Sequence, residues 1–193
     1  MRVTAWDRSR EGRQKNKPKV IGLDIYRDIP HPPGREELRE ALKADNLVAI
    51  AKVDGSERQN ISPPPGVPKE RVGFSDLVID NDNVLRRNLM YAESDKEKFY
   101  SLALQVSLKY LRDRNLRFQV TPDALQIGKT SFWRLREDAG GYQMSPSEAL
   151  GWQTLIQYRS AKDAVRQVSL TDVLEGKVAE RVCLKIKLFS LEQ

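Results

Sequence analysis

Apolar residues cluster in short runs separated by polar, proline-rich breaks, and the spacing within each run predicts its element. Val20-Ile21-Gly22-Leu23-Asp24-Ile25-Tyr26 is a compact apolar run with β-branched residues, which predicts a buried strand. Pro30, Pro32, Pro33 and Gly34 then force a loop. Over 35–45, Leu38, Ala41 and Leu42 recur at helical spacing with charges on the opposite face. Leu47–Val53 is a second apolar run. Strand, helix and strand in that order predict a βαβ unit with two parallel strands.

Residues 54–70 read as a polar loop, exposed and partly polyproline-like at Pro63-Pro64-Pro65. The runs Phe74–Ile79 and Val84–Tyr91 flank Asp80-Asn81-Asp82-Asn83, whose short polar side chains tolerate a tight turn; together they predict a β-hairpin. Ser94-Asp95-Lys96-Glu97 has the form of a capping box and predicts a helix to about residue 114, with Phe99, Leu102, Ala103, Val106 and Tyr110 on one stripe. Beyond it, strands are expected at 116–120, 124–127, 131–136 and 154–158, with a turn at Gly140-Gly141 and a short helical turn near Ser145–Leu150. Ser169 is placed to cap a last short helix, and Val182–Leu191 reads as a strand. The whole is an α/β single domain: a mixed β-sheet with a parallel βαβ start, flanked by helices.

Composition leaves this picture intact. At 193 residues, 39% hydrophobic and 31% charged, the chain has a globular balance. The net charge of +6 invites a nucleic-acid reading until it is located. Residues 1–20 hold seven basic residues against two acidic ones, a surplus of five, so the remaining chain is nearly neutral. A phosphate-binding face needs its charge spread over a folded surface. Residues 1–17 are therefore read as a basic flexible leader, and no nucleic-acid partner is expected. The longest apolar runs fall far short of the ~20 residues of a membrane span, and the first residues lack the apolar core of a signal peptide.

Candidate chemistry is sparse. Gly128-Lys129-Thr130 echoes a phosphate-binding loop, but Asp123 stands where its first glycine belongs and a strand follows where a helix is needed. Asp80-Asn81-Asp82-Asn83 starts like a calcium loop, yet Leu85 replaces the required glycine and Tyr91 the closing glutamate. His31 and Cys183 are the sole histidine and cysteine, too few for a His/Cys metal site. Neither metal nor cofactor is expected, and no catalytic residue is named. In open α/β sheets ligands bind beyond the carboxyl ends of parallel strands. That rule points to Asp24, Tyr26 and Arg27 after the first strand and to Lys52–Asp54 after the second, with Asp54 as the acidic member. Arg86 and Arg87 are candidates for receiving an anionic ligand, with surface ion pairing as the competing fate.

The order of these pieces resembles the CHASE type 2 domain, named for cyclases/histidine kinases associated sensory extracellular. The resemblance runs through Val20–Asp28, Val72-Gly73-Phe74, Asp80–Arg87, Phe99–Leu104, Gly140-Gly141-Tyr142, Leu155–Arg159 and Val168–Leu174, covering about residues 18–178. It implies an extracytoplasmic (periplasmic) sensory domain of a bacterial membrane receptor. Its partners would be an unidentified small-molecule ligand and, in the full-length parent, transmembrane helices and a kinase or cyclase output, with a homodimer among the arrangements allowed. Asn83 departs from the family's usual glycine in that turn. The family's preceding membrane segment and first strand are missing, and residues 179–193 form an atypical strand-like tail. These departures imply an excised or truncated sensor. The rival classes are a dimerisation module without a ligand pocket and a small enzyme with converging titratable groups.

Overall fold

The computed structural model describes residues 18–29, 34–52, 61–93, 97–158, 160, 168, 169, 171, 172, 175 and 177. The first three strands, β1 (Ile21–Leu23), β2 (Leu47–Ala51) and β3 (Val72–Phe74), form a parallel sheet in the order β1-β2-β3. The helix α1 (Arg35–Leu42) joins β1 to β2, so the predicted βαβ unit is present. β1 is shorter than its apolar run: it ends before Asp24, which is exposed along with Ile25.

β2 is buried along its whole length, and its two faces are covered by different helices. Leu47 and Ala49 pack with Leu42 and Leu38 of α1 and with Leu23, Val67 and Val72. On the other face, the register places Gly22 beside Val48 and Gly73 beside Ile50. These glycines give α2 (Leu102–Leu111) its seat. A Cβ on Gly22 would lie 3.2 Å from Val106 Cγ2, and one on Gly73 would lie 2.8 Å from the Leu102 backbone nitrogen and Cα. Gly73 is needed because the helix backbone comes too close for any side chain.

An antiparallel sheet follows in the order β5-β4-β9, with β4 (Arg87–Glu93) between β5 (Lys98–Tyr100) and β9 (Trp152–Leu155). The third sheet is the meander β6 (Phe118–Val120), β7 (Ala124–Ile127) and β8 (Thr130–Trp133). Tyr91, Leu104, Leu125 and Trp152 are buried together between these sheets and α2. Tyr91 lies 5.2 Å from the Tyr100 ring and edge-on to Trp152 at 4.9 Å, arrangements favoured by the ring quadrupoles. The parallel and antiparallel parts meet at a bridge between Phe74 and Ser101, and the Leu135 N–H donates to the Gln153 carbonyl to join the meander to β9. The result is the α/β architecture with a parallel start that the patterning predicts.

Three local expectations change. The long helix starts at Ser101, whose hydroxyl accepts from the Leu104 N–H, and not at Ser94. Residues 98–100 pair instead with β4, because Tyr100 joins the aromatic cluster around Tyr91. The hairpin around Asp80 keeps its turn but reduces to one bridge, Val78 with Arg87, since Val72–Phe74 is claimed by the parallel sheet. Within the loop expected to be exposed, Pro64 is fully buried and Val67 is 9% exposed against the α1 face of the sheet.

The remaining strands fall within a few residues of the predicted ones, and Gly140 and Gly141 both adopt positive φ in the expected turn. The Ser145 N–H and hydroxyl both donate to Glu148 Oε2 at 2.8 Å on the turn that follows, and Ser169 Oγ accepts from the Asp172 N–H at 3.0 Å. The leader 1–17, Cys183 and the tail 179–193 lie outside the described residues.

Candidate functional site

A pocket of about 440 Å³ opens at the carboxyl ends of β2 and β3. Ala51 and Lys52 end one strand, and Val72, Gly73 and Phe74 supply the other, so the parallel sheet forms one wall. The second wall is Lys98, Phe99 and Tyr100 of β5, brought alongside by the Phe74–Ser101 bridge. The third is the returning chain at Ile61, Ser62 and Pro63, held by reciprocal backbone hydrogen bonds between Lys52 and Ile61 of 3.0 and 3.3 Å.

Lys69 and Glu97 close the rim. Lys69 Nζ donates to Glu97 Oε1 at 2.8 Å, joining the 3₁₀ turn Lys69–Arg71 to the start of β5. The lysine's hydrogen bond and charge hold the Glu97 carboxyl below its usual value, and the carboxylate raises Lys69 in turn. Both side chains are well exposed, so the pair fixes geometry more than it adds stability. The interior is aromatic and aliphatic, with Phe74 buried and Phe99 and Tyr100 half-buried. Burial raises the Tyr100 hydroxyl, with the Glu93 charge adding to it, so the phenol stays neutral. The lining offers cations, one carboxylate and a phenol around an apolar interior, a set suited to holding a molecule.

The residues named from the sequence are distributed differently. Asp24 is exposed just beyond β1, with Tyr26 and Arg27 half-buried after it, and none of the three lines the pocket. Asp54 lies outside the described residues, while its neighbour in the prediction, Lys52, is part of the lining. Arg86 and Arg87 are drawn together, but around carboxylates of their own chain. Arg86 grips Asp82 with two hydrogen bonds of 2.8 and 2.7 Å and reaches Asp80 Oδ2 at 3.1 Å. Arg87, whose side chain is 5% exposed, donates from Nε to Asp80 Oδ1 at 2.7 Å. Its Nη1 lies 3.2 Å from Met144 Sδ, the Glu148 carbonyl and Gln153 Oε1. Tyr142 completes the knot by donating to Asp80 Oδ2 at 2.7 Å, with its ring beneath the Arg87 guanidinium.

The Asp80–Asn83 turn builds this knot from its own sequence. Asn83 takes a left-handed φ of 62°, Asp82 Oδ1 accepts from the Val84 N–H, and Asp80 exchanges backbone bonds with Asn83 and Val84. Burial works to raise the Asp80 carboxyl, but the hydrogen bonds from Tyr142, Arg87 and Arg86 outweigh it and hold it low. The Arg86 contact brings Asp82 down to about 2.

Sequence reasoning missed Lys69, Glu97, Lys98, Phe99 and Tyr100. Their spacing carries no motif, and the only available signal was the strand-end rule that found Lys52. Among the described residues no group of three or more His, Cys, Asp or Glu is placed to hold a metal ion. No helix among them is long and apolar enough to cross a membrane.

A family profile described as the CHASE2 domain matches residues 11–189 of the 193-residue chain. No curated protein and no solved structure compared with the chain matches it.

Proposed function

Because the chain belongs to the CHASE2 domain family, extracellular sensory domains of receptors, we propose that it is the signal-input domain of a bacterial transmembrane receptor and binds a small molecule in the pocket at the ends of β2 and β3. In this reading it performs no chemistry; its binding free energy is passed to a kinase or cyclase output across the membrane. The observation that supports the reading is the joint between pocket and helix. The wall Lys98–Tyr100 runs directly into α2, which contacts the parallel sheet on one side and the Tyr91–Leu125–Trp152 cluster on the other. A ligand can shift a two-state domain only by contacting its two arrangements differently, and a wall continuous with such a helix supplies a difference.

A thermal-shift screen of metabolites against the wild-type chain and Ser62→Trp tests the assignment. A ligand at a hundred times its dissociation constant adds about 2.7 kcal/mol and should visibly raise the melting temperature. Ser62 is exposed on the pocket wall, so the tryptophan should fill the space without disturbing the core. The expected result is a hit lost in Ser62→Trp and kept in Asp24→Asn and Arg27→Ala. A hit with the reverse pattern moves the site to the end of β1. Reproducible catalytic turnover of a metabolite overturns the sensor reading.

A further inference from the structure

The rim of the pocket has a charge bias that its position does not require. Among the described residues, Lys52, Lys69 and Lys98 line it from three separate stretches of chain, against the carboxylate of Glu97. Glu97 is engaged with Lys69 at 2.8 Å, and among the described residues neither Lys52 nor Lys98 has a carboxylate within ion-pair distance. A concavity with apolar walls focuses the field of such charges into its interior. The cap of α2, Ser101, directly follows Tyr100, and the helix's peptide dipole adds positive potential at the same wall. Phe74 and Phe99 add apolar surface to the lining that an inorganic ion would leave uncovered.

We propose that the pocket takes a small organic anion, with its carboxylate at Lys52 and Lys98 and an aromatic or branched apolar body against Phe74 and Phe99. The inference rests on the reading of this pocket as the input site. Its volume of about 440 Å³ falls in the lower part of the range of small-molecule sites, roughly 300–1,000 Å³. Hydrogen bonds from ammonium groups to a carboxylate are charge-assisted, and the apolar body gains by leaving water. Glu97 opposes the anion and occupies Lys69, so its carboxylate sets an upper limit on affinity that a neutral side chain lifts.

Titration calorimetry with 3-phenylpropionate, its neutral amide 3-phenylpropanamide and the cation 3-phenylpropylamine provides the test. The carboxylate should bind best, and rising salt should weaken it. The double variant Lys52→Gln/Lys98→Gln should lose about five- to tenfold in affinity, as expected for two partly solvated ion pairs. Glu97→Gln should bind the carboxylate more tightly, and Ser62→Trp should not bind it. Equal binding of the amide or amine, or an unchanged lysine double variant, overturns the anion while Ser62→Trp still reports whether the pocket is the site. Carboxylate binding that survives Ser62→Trp overturns both the anion proposal and the pocket assignment. Failure of all three probes at millimolar concentration overturns the anion proposal and leaves the pocket to the metabolite screen.

Discussion

Arg87 and Lys98 belong to the same antiparallel sheet, on the adjacent strands β4 and β5, and the fold treats their charges in opposite ways. The Arg87 side chain is 5% exposed and meets a carboxylate, two side-chain acceptors and a backbone carbonyl. Lys98 stands at the rim of an apolar cavity. A buried cation must be matched at once, because desolvation costs far more than an unmatched pair can return. A rim cation remains hydrated and can wait for a counterion from outside. Both regions are rich in charge; the first matches it within the chain, and the proposed ligand would meet the second.

The largest effect should come from removing the matched cation. Arg87→Ala leaves the buried Asp80 Oδ1 and Gln153 Oε1 without their donor, with Arg86 and Tyr142 remaining on Asp80 Oδ2; a loss of about 3–5 kcal/mol is expected in chemical denaturation. A loss below about half a kcal/mol would place the knot with ordinary surface pairs. On the pocket side, Gly73→Ala drives a Cβ to 2.8 Å from the Leu102 backbone. The expected cost is about 1–3 kcal/mol, because backbone cannot swing aside as a side chain can. Gly22→Ala, which meets only the Val106 methyl at 3.2 Å, should cost less. If the two cost the same, α2 does not rest on Gly73.

Acid sharpens the contrast. Asp80 and Asp82 are held below their usual values, so their contribution is full above ~pH 4, the ordinary range of an unfolded Asp, and falls away as pH drops through the folded-state values toward about 2 for Asp82. Denaturation midpoints measured from pH 5 to pH 2 should decline in wild type and decline less in Arg86→Gln. Equal slopes would show that Arg86 does not hold these carboxylates. Smallest of all, Lys98→Gln should change stability by no more than about 0.5 kcal/mol in the same assay, as befits an exposed residue. A larger change would mean that the pocket's cations are structural after all.

The parallel core was legible because β2 is buried on both faces, and a strand of that kind writes an unbroken apolar run such as Leu47-Val48-Ala49-Ile50-Ala51. The turn at Asp80–Asn83 was legible because its chemistry is local. The start of α2 was not: Ser94 and Ser101 both precede plausible helix, and the choice is made by Tyr100 packing on Tyr91, a contact between strands that no local pattern encodes. The pocket was half legible. Lys52 follows from the strand-end rule, whereas Lys69 and Lys98 arrive on a 3₁₀ turn and a strand that the patterning does not place. Arg86 and Arg87 show the converse, since the ion pairing weighed against ligand contact is what the fold supplies, through Asp80, Asp82 and Tyr142.

The position of β9 also bears on how the chain reaches this state. β4 can pair with β5 as soon as the next few residues have been made, but its other edge waits for Trp152–Leu155, about 60 residues further on. During synthesis the meander β6-β7-β8 and α2 are complete before that edge is covered. For that interval Tyr91 lacks Trp152 and Arg87 has Asp80 but lacks Gln153, so a nascent chain carries an open strand with an incompletely matched cation at its end. An open edge is a template for pairing with another chain, and a charge on it is a recognised deterrent. A cation at the end of that strand works against such pairing until Trp152–Leu155 covers the edge.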